Sequence, residues 1–300
     1  MSASTSQPSA GLAGRRADFL LAFTTLLWGV SFVVVKAALA SSTPLAFTAL
    51  RFAIATVVLT PFARLRTPFT RQELGAGVLL ATLLAAGFAA QAIGLVSTTP
   101  ARSAFIVASS SVLAPIVAFV VLRERPRVWV AAALACAGAG MYLLTAPDVG
   151  GLNRGDVWTL GTACCFGGQI VAVAELSRRH DAVRLVWMQT VGTTLGAGLA
   201  AAAFEPVRLD WGPALAGGLA YAGVCATALA LLWQMRAQRY MSSARAALIF
   251  CLEPVFAALV SWAWLGERLS PAQWVGGAMI LSGMVLADLP QPARSTAPGV

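Results

Sequence analysis

Residues 101–125, ARSAFIVASSSVLAPIVAFVVLRER, and residues 244–268, ARAALIFCLEPVFAALVSWAWLGER, align without a gap. Arg102 falls on Arg245 and Glu124 on Glu267, both 143 residues apart, and the register reaches back to Gln91 and Gln234. Nearer the start of each half, Asp18, Gly29 and Arg51 stand against Asp156, Gly167 and Gln189 at a constant separation of 138. The chain therefore reads as two homologous halves of about five helices each. An odd number of spans per half forces the halves into opposite orientations in a membrane. That geometry suits alternating access, so a secondary carrier is the expectation.

Composition agrees with a membrane. Of the 300 residues 58% are hydrophobic and 11% charged, with a mean hydropathy of +0.77. So much apolar surface does not fit inside one soluble core and calls for lipid as solvent. The formal net charge of +9 does not point to nucleic acid, because 20 of the 21 basic residues are Arg and most lie in short clusters between apolar runs, as juxtamembrane charge does. Cys136, Cys164, Cys165, Cys225 and Cys251 lie inside apolar segments and read as small hydrophobes. His180, the one histidine, stands in a polar loop with no second His or spaced Cys pair to build a metal site. No phosphate-binding glycine loop runs into Lys-Ser or Lys-Thr, and no nucleophile with base and orienter can be assembled. Neither a cofactor nor an enzyme is expected.

Ten apolar stretches, each near the roughly 20 residues that a spanning helix needs, are expected as helices over 18–39, 45–63, 74–96, 101–121, 127–145, 155–175, 184–204, 213–235, 243–264 and 271–289. Residues 1–14 and 290–300 are expected as tails, 15–146 as the first repeat and 147–289 as the second. With the N-terminus cytoplasmic, the inner links collect fourteen Arg residues and the outer links three, Arg154, Arg208 and Arg268. The other four cations, Lys36, Arg51, Arg102 and Arg245, fall within helices. Positive charge accumulates on the cytoplasmic side of membrane proteins, so both termini are expected inside. The small-residue face Gly192, Gly196 and Gly198 suggests close internal packing first and dimerisation second. The chain is therefore expected as a monomer or a homodimer.

The first helix carries Leu27-Trp28-Gly29-Val30-Ser31-Phe32 and the second Pro44-Leu45-Ala46-Phe47-Thr48-Ala49-Leu50-Arg51-Phe52. Each half closes on a Glu-Arg turn, Leu122-Arg123-Glu124-Arg125 and then Leu265-Gly266-Glu267-Arg268, the latter preceded by Leu252-Glu253-Pro254-Val255. Together these resemble the EamA family of the drug/metabolite transporter superfamily, over about residues 18–288. The resemblance implies an all-α integral membrane protein, with ten transmembrane helices as two inverted five-helix repeats around a central cavity. It further implies an inner-membrane carrier that exports amino acids, other metabolites or toxic compounds. The sequence departs from a symmetric pattern at one place: the first half has Ser109-Ser110-Ser111 where the second has Leu252-Glu253-Pro254, which argues against symmetric half-sites.

Ionisable groups deep in a membrane are costly unless paired or wetted, so they are functional candidates. Arg51 reads either as a cavity residue gripping a substrate carboxylate or as a structural tie to carbonyls freed at a helix break. Glu253, beside Pro254, reads either as a proton-exchanging residue or as a packing element held by neighbouring amides. Arg102 and Arg245 near helix ends read as headgroup anchors or substrate contacts. Lys36 reads as snorkelling outward or binding at a cavity mouth. Trp28, Phe32, Phe88, Phe105, Phe166, Tyr221 and Trp233 supply aromatic surface for a cavity wall or for packing. Gln91, Gln169, Gln189 and Gln234 carry amides that need a partner in hydrocarbon, which a wet cavity provides. The expected partners are a small organic substrate and the lipid bilayer, with transport either coupled to a proton or facilitative. The contrasting reading is a non-transporting scaffold or sensor subunit, which would call for an added soluble module.

Overall fold

The computed structural model describes residues 12–63, 65–98, 100–123, 128–145, 153–265 and 270–288. Residues 1–11, the C-terminal tail and the Glu-Arg turns at 124–125 and 266–268 lie outside the described residues, while 12–14, expected within the N-terminal tail, are helical. Among the described residues the chain is helical, apart from links and one isolated bridge between Ser42 and Leu209. In chain order the helices are α1 Leu12–Leu39, α2 Pro44–Leu59, α3 Arg71–Ser97, α4 Pro100–Ala108, α5 Ser110–Leu122, α6 Val128–Thr145, α7 Arg154–Leu176 and α8 Ala182–Phe204. Then come α9 Pro213–Ala220, α10 Ala230–Gln238, α11 Ser243–Phe250, α12 Glu253–Leu265 and α13 Pro271–Asp288. A wide π-helical turn over Tyr221–Leu229 joins α9 to α10.

Seven helical stretches among the described residues are long and apolar enough to cross a membrane: 14–39, 44–62, 71–97, 103–122, 154–176, 213–238 and 243–260. The other three apolar stretches of the sequence are α6 and α13, helical over 18 residues each, and α8, helical over 23. Gln189, Thr190, Thr193 and Thr194 dilute the hydropathy of α8. Side chains such as Val57, Val120 and Leu199, about 70% exposed, form an outer apolar surface fit for lipid.

Two stretches expected as continuous helices, 101–121 and 243–264, are broken in the middle. The first breaks at Ser109, whose hydroxyl turns back to the Ile106 carbonyl. Serine side chains compete in this way with the helical backbone ladder. The second breaks at Cys251 and Leu252, closed by tight bonds from Cys251 N to Leu248 O at 3.1 Å and from Leu252 N to Ile249 O at 3.0 Å. Proline cannot donate to the turn before it, and Pro254 stands in the first turn of the new helix α12, where no such donor is required.

The ends are tied by caps and by charges. Thr70 with Glu73 and Asn153 with Asp156 each form a capping box at the starts of α3 and α7. The Glu205 carboxylate, at the end of α8, accepts from the N–H groups of Leu45 and Ala46 at 3.0–3.3 Å and so caps α2. Arg184 is buried rather than solvated: its guanidinium sits 4.1 Å from the centre of the Phe69 ring and bonds Glu73 at 3.1 Å and the Pro68 carbonyl at 3.1 Å. It fixes the 67–70 link to the start of α8.

Helix crossings are close where glycine allows it, and the close ones come in reciprocal pairs. A Cβ on Gly140 would lie 2.6 Å from the Gly276 carbonyl oxygen and 2.9 Å from the Ile280 nitrogen. One on Gly283 would lie 2.7 Å from the Ala133 oxygen and 3.3 Å from the Ala137 nitrogen. Gly283, Gly276 and Ile280 follow Gly140, Ala133 and Ala137 by 143 residues each, so α6 and α13 contact each other through equivalent positions. A Cβ on Gly29 would lie 3.0 Å from both the Glu253 carbonyl oxygen and the Ala257 nitrogen, and one on Gly167 would lie 3.4 and 3.6 Å from the equivalent Ser110 oxygen and Ala114 nitrogen. Gly192 and Gly196 face Ala81 and Ala85 of α3, so this small-residue face serves packing inside the bundle.

Overpacking at such a crossing typically costs about 1–3 kcal/mol, so Gly29→Ala and Gly140→Ala are expected to lower thermal stability in detergent. Gly161, whose added Cβ would meet nothing within 4 Å, is the control. Its replacement by Ala should leave stability unchanged or raise it by about 0.5–1 kcal/mol through helix propensity.

Candidate functional site

The breaks in both interrupted helices face one internal cavity. Fourteen residues from α1, α3, α4, α5, α7, α10, α11 and α12 line it, around about 50 Å³ that a water centre can occupy. That is room for a few waters. Twelve of the fourteen fall into six repeat-equivalent pairs. Gln91 pairs with Gln234, Phe88 with Leu231, Val107 with Phe250 and Ser110 with Glu253, each 143 residues apart. Trp28 pairs with Phe166 and Ser31 with Gln169, each 138 apart. Leu84 and Ile170 complete the wall.

The wall is mostly apolar, with polar atoms at fixed points. Trp28 and Phe250 pack at 5.5 Å between ring centres, and Phe88 and Phe166 at 5.1 Å edge to face. The Trp28 indole N–H donates to the Ala226 carbonyl at 2.9 Å. That carbonyl belongs to the π-helical turn, where the wider register frees oxygens from the regular ladder. Thr227 in the same turn donates to the Ala222 carbonyl five residues back at 2.7 Å and accepts from Arg51 Nε at 3.0 Å. Gln169 donates through Nε2 to the Gln189 Oε1 at 2.8 Å, and its own buried Oε1 has no partner among the described residues. Glu253, 8% exposed, opens α12 at the break and reaches the cavity wall. Ser110, its repeat equivalent, opens α5 in the same way.

Of the residues singled out from the sequence, Trp28, Phe88, Gln91, Phe166, Gln169, Gln234 and Glu253 meet at the cavity. Gln189 stands one layer out, holding the Gln169 amide. Arg51 is also one layer out: its guanidinium lies 4.7 Å from the centre of the Phe88 ring, on a residue of the wall, and one terminal nitrogen has no hydrogen-bond partner. Phe32 packs with Ala104, Val107 and Phe166 beside the wall. The Tyr221 hydroxyl donates to the Leu27 carbonyl at 2.8 Å, and Trp233 packs on Phe23 at 5.6 Å, both off the wall. Lys36 donates to the Leu95, Val96 and Thr98 carbonyls, neutralising the C-terminal end of α3. Arg245 makes a forked pair with Asp18 at 3.0 and 2.8 Å, joining α11 to α1. The Arg102 side chain lies outside the described residues.

Ser31, Ser110 and Phe250 line the wall without having been singled out from the sequence. The repeat register carried the signal for them: Ser31 is the equivalent of Gln169, Ser110 of Glu253, and Phe250 ends α11 directly before the break. Among the described residues no group of three His, Cys, Asp or Glu side chains comes close enough to hold a metal.

Two replacements test this layered arrangement by thermal unfolding in detergent. Gln189→Leu removes the acceptor of the buried Gln169 amide and Thr227→Val the partner of the buried Arg51 Nε, and each is expected to cost about 1–3 kcal/mol. Trp233→Phe, which leaves the cavity network intact, is expected to cost less than either.

Comparison with known proteins places this geometry. The model of the EamA-like transporter family matches the chain twice, over residues 15–146 and 153–287. An uncharacterized transporter of Archaeoglobus fulgidus is 32% identical over 275 residues, covering 91% of this chain and 86% of that one. The uncharacterized transporter YwfM of Bacillus subtilis is 26% identical over 284 residues, covering 90% of this chain and 93% of its own. A solved crystal structure superposes with a TM-score of 0.78 at 19% identity, covering 91% of this chain and 98% of the other, and so shares the fold. With the family model matching nearly the whole chain in two copies, this multi-pass membrane protein belongs to the EamA-like transporter family.

Proposed function

We propose that the chain is a secondary carrier, active or facilitative, that moves a small organic metabolite, an amino acid or a drug-like compound, outward by alternating access. In this reading ten membrane spans form two inverted five-helix repeats, 15–146 and 147–289, in a bacterial-type inner membrane with both termini cytoplasmic. The observation that carries it is the cavity wall, in which six pairs of repeat-equivalent residues from the two halves enclose one space. A site shared between two inverted halves is exposed to one side or the other as the halves rock, without itself being rebuilt. The reciprocal glycine contacts at α6 and α13, and at the two broken helices, support the same relation. These are surfaces of backbone against backbone, on which one half can tilt with little side-chain rearrangement.

Within this reading the wall residues Trp28, Gln91, Gln169 and Gln234 contact the substrate. Arg51 positions the Phe88 ring from behind, and Gln189 orients Gln169. Glu253, the one carboxyl on the wall, is assigned the coupling proton.

Counterflow in proteoliposomes tests the carrier directly. Exchange of one class of compound is expected, and Ser110→Trp, which places a large ring in a space of about 50 Å³, should abolish it while the protein stays folded. A folded wild type that exchanges nothing across amines, carboxylates, amino acids and neutral aromatics counts against transport. Orientation is tested by single cysteines placed in a variant without the five native ones. Arg179→Cys, at a side chain 68% exposed, is expected to label from the cytoplasm, and Arg208→Cys, at one 57% exposed, from the outside. The reverse pattern overturns the assigned topology.

A further inference from the structure

The charge of the cavity is one-sided. Among its lining residues Glu253 is the one ionisable acid, and none is Lys, Arg or His. Arg51, which could have supplied a cation, is not among the lining residues: Nε is held by Thr227, and the guanidinium lies over the Phe88 ring, 4.7 Å from its centre. Two of the unmet polar groups on the wall are acceptors, beside the Gln91 and Gln234 amides, which both donate and accept. The Glu253 side chain, more than nine-tenths buried, makes no hydrogen bond or ion pair among the described residues, and the Gln169 Oε1 is likewise without a donor. Leaving such acceptors unpaired away from water is costly, and a ligand that donates to them recovers that cost. A ligand carboxylate would meet a like charge and no fixed cation. Around the acceptors stand Trp28 and Phe250, whose ring faces attract a cation and whose edges cover an apolar body.

Resting on the carrier reading above for its place in transport, we propose that this cavity takes a small organic amine in its ammonium form, the N–H groups donated to the Glu253 carboxylate and the Gln169 Oε1, and the apolar body laid against Trp28 and Phe250. The substrate class is thereby a cation and not a carboxylate. The asymmetry between the halves acquires a role: Ser110, at the equivalent break, leaves the opposite side of the site neutral, so a single positive group is matched by a single negative one.

The test compares three ligands of nearly equal shape, 2-phenylethylamine, 3-phenylpropionate and 2-phenylethanol, by calorimetric titration of the full-length protein in lipid nanodiscs. The amine is expected to bind at least about tenfold more tightly than the other two, because a desolvated charge pair is lost in each. Glu253→Gln should bring the amine down to the level of the alcohol, and leave the alcohol unchanged. Equal or tighter binding of the carboxylate, no binding of the amine, or amine affinity unaltered in Glu253→Gln each overturns the proposal. The wild-type comparison among ligands decides the matter even where the variant fails to fold. Counterflow of the same compounds, corrected for protein-free liposomes, separates the two readings. An amine that binds without being exchanged keeps the cation site and removes the carrier. Exchange of the carboxylate by a protein that does not bind the amine keeps the carrier and removes the cation site.

Discussion

In hydrocarbon no water is at hand to satisfy a backbone N–H or C=O, and that constraint shapes the whole molecule. Regular helix satisfies it everywhere except at ends and breaks. The described chain departs from regular helix at three mid-bundle places: Ser109, Cys251 with Leu252, and the wide turn at Tyr221–Leu229. Residues at or beside all three border the cavity. The freed groups are met by designated partners, the Trp28 indole on the Ala226 carbonyl and the Thr227 hydroxyl on the Ala222 carbonyl. Irregular backbone is tolerated at membrane depth only where protein or a polar cavity answers it, so the cavity and the breaks explain each other.

The second consequence concerns how the helices touch. Lipid is as apolar as leucine, so helix association in a bilayer relies on close packing and on interhelical polar contacts rather than on the hydrophobic effect. Gly29, Gly140, Gly167 and Gly283 bring backbones together at positions related by the internal repeat. At the membrane ends the polar contacts take over. Glu205 caps α2, Lys36 closes α3, Arg184 clamps the link before α3, and Arg245 joins α11 to α1 through Asp18. Each charge there answers a helix terminus or an opposite charge. The cavity differs, because its one acid has no such answer within the described protein.

Much of this was legible in the residues. The duplication, the apolar stretches and the transporter family follow from pattern alone, because hydropathy over about 20 residues and a fixed register need no tertiary information. Gln91, Gln169 and Glu253 were singled out because a polar group in hydrocarbon needs a reason, and Trp28 because its ring lies at helix depth. The same logic left Arg51 open between a cavity contact and a structural tie. Whether a buried cation faces a cavity or the back of an aromatic ring depends on helix rotation, which the short polar code of a membrane helix does not set.

The sequence by itself determined that this chain is a duplicated, helical membrane protein of the EamA-like transporter family, because lipid imposes its length and hydropathy rule residue by residue. Only the tertiary structure decided where the helices break and which of the scattered polar groups share one space. Those outcomes turn on contacts between residues more than a hundred positions apart, such as Arg51 with Thr227 and Trp28 with Ala226, and a local pattern carries no information about a partner so far along the chain.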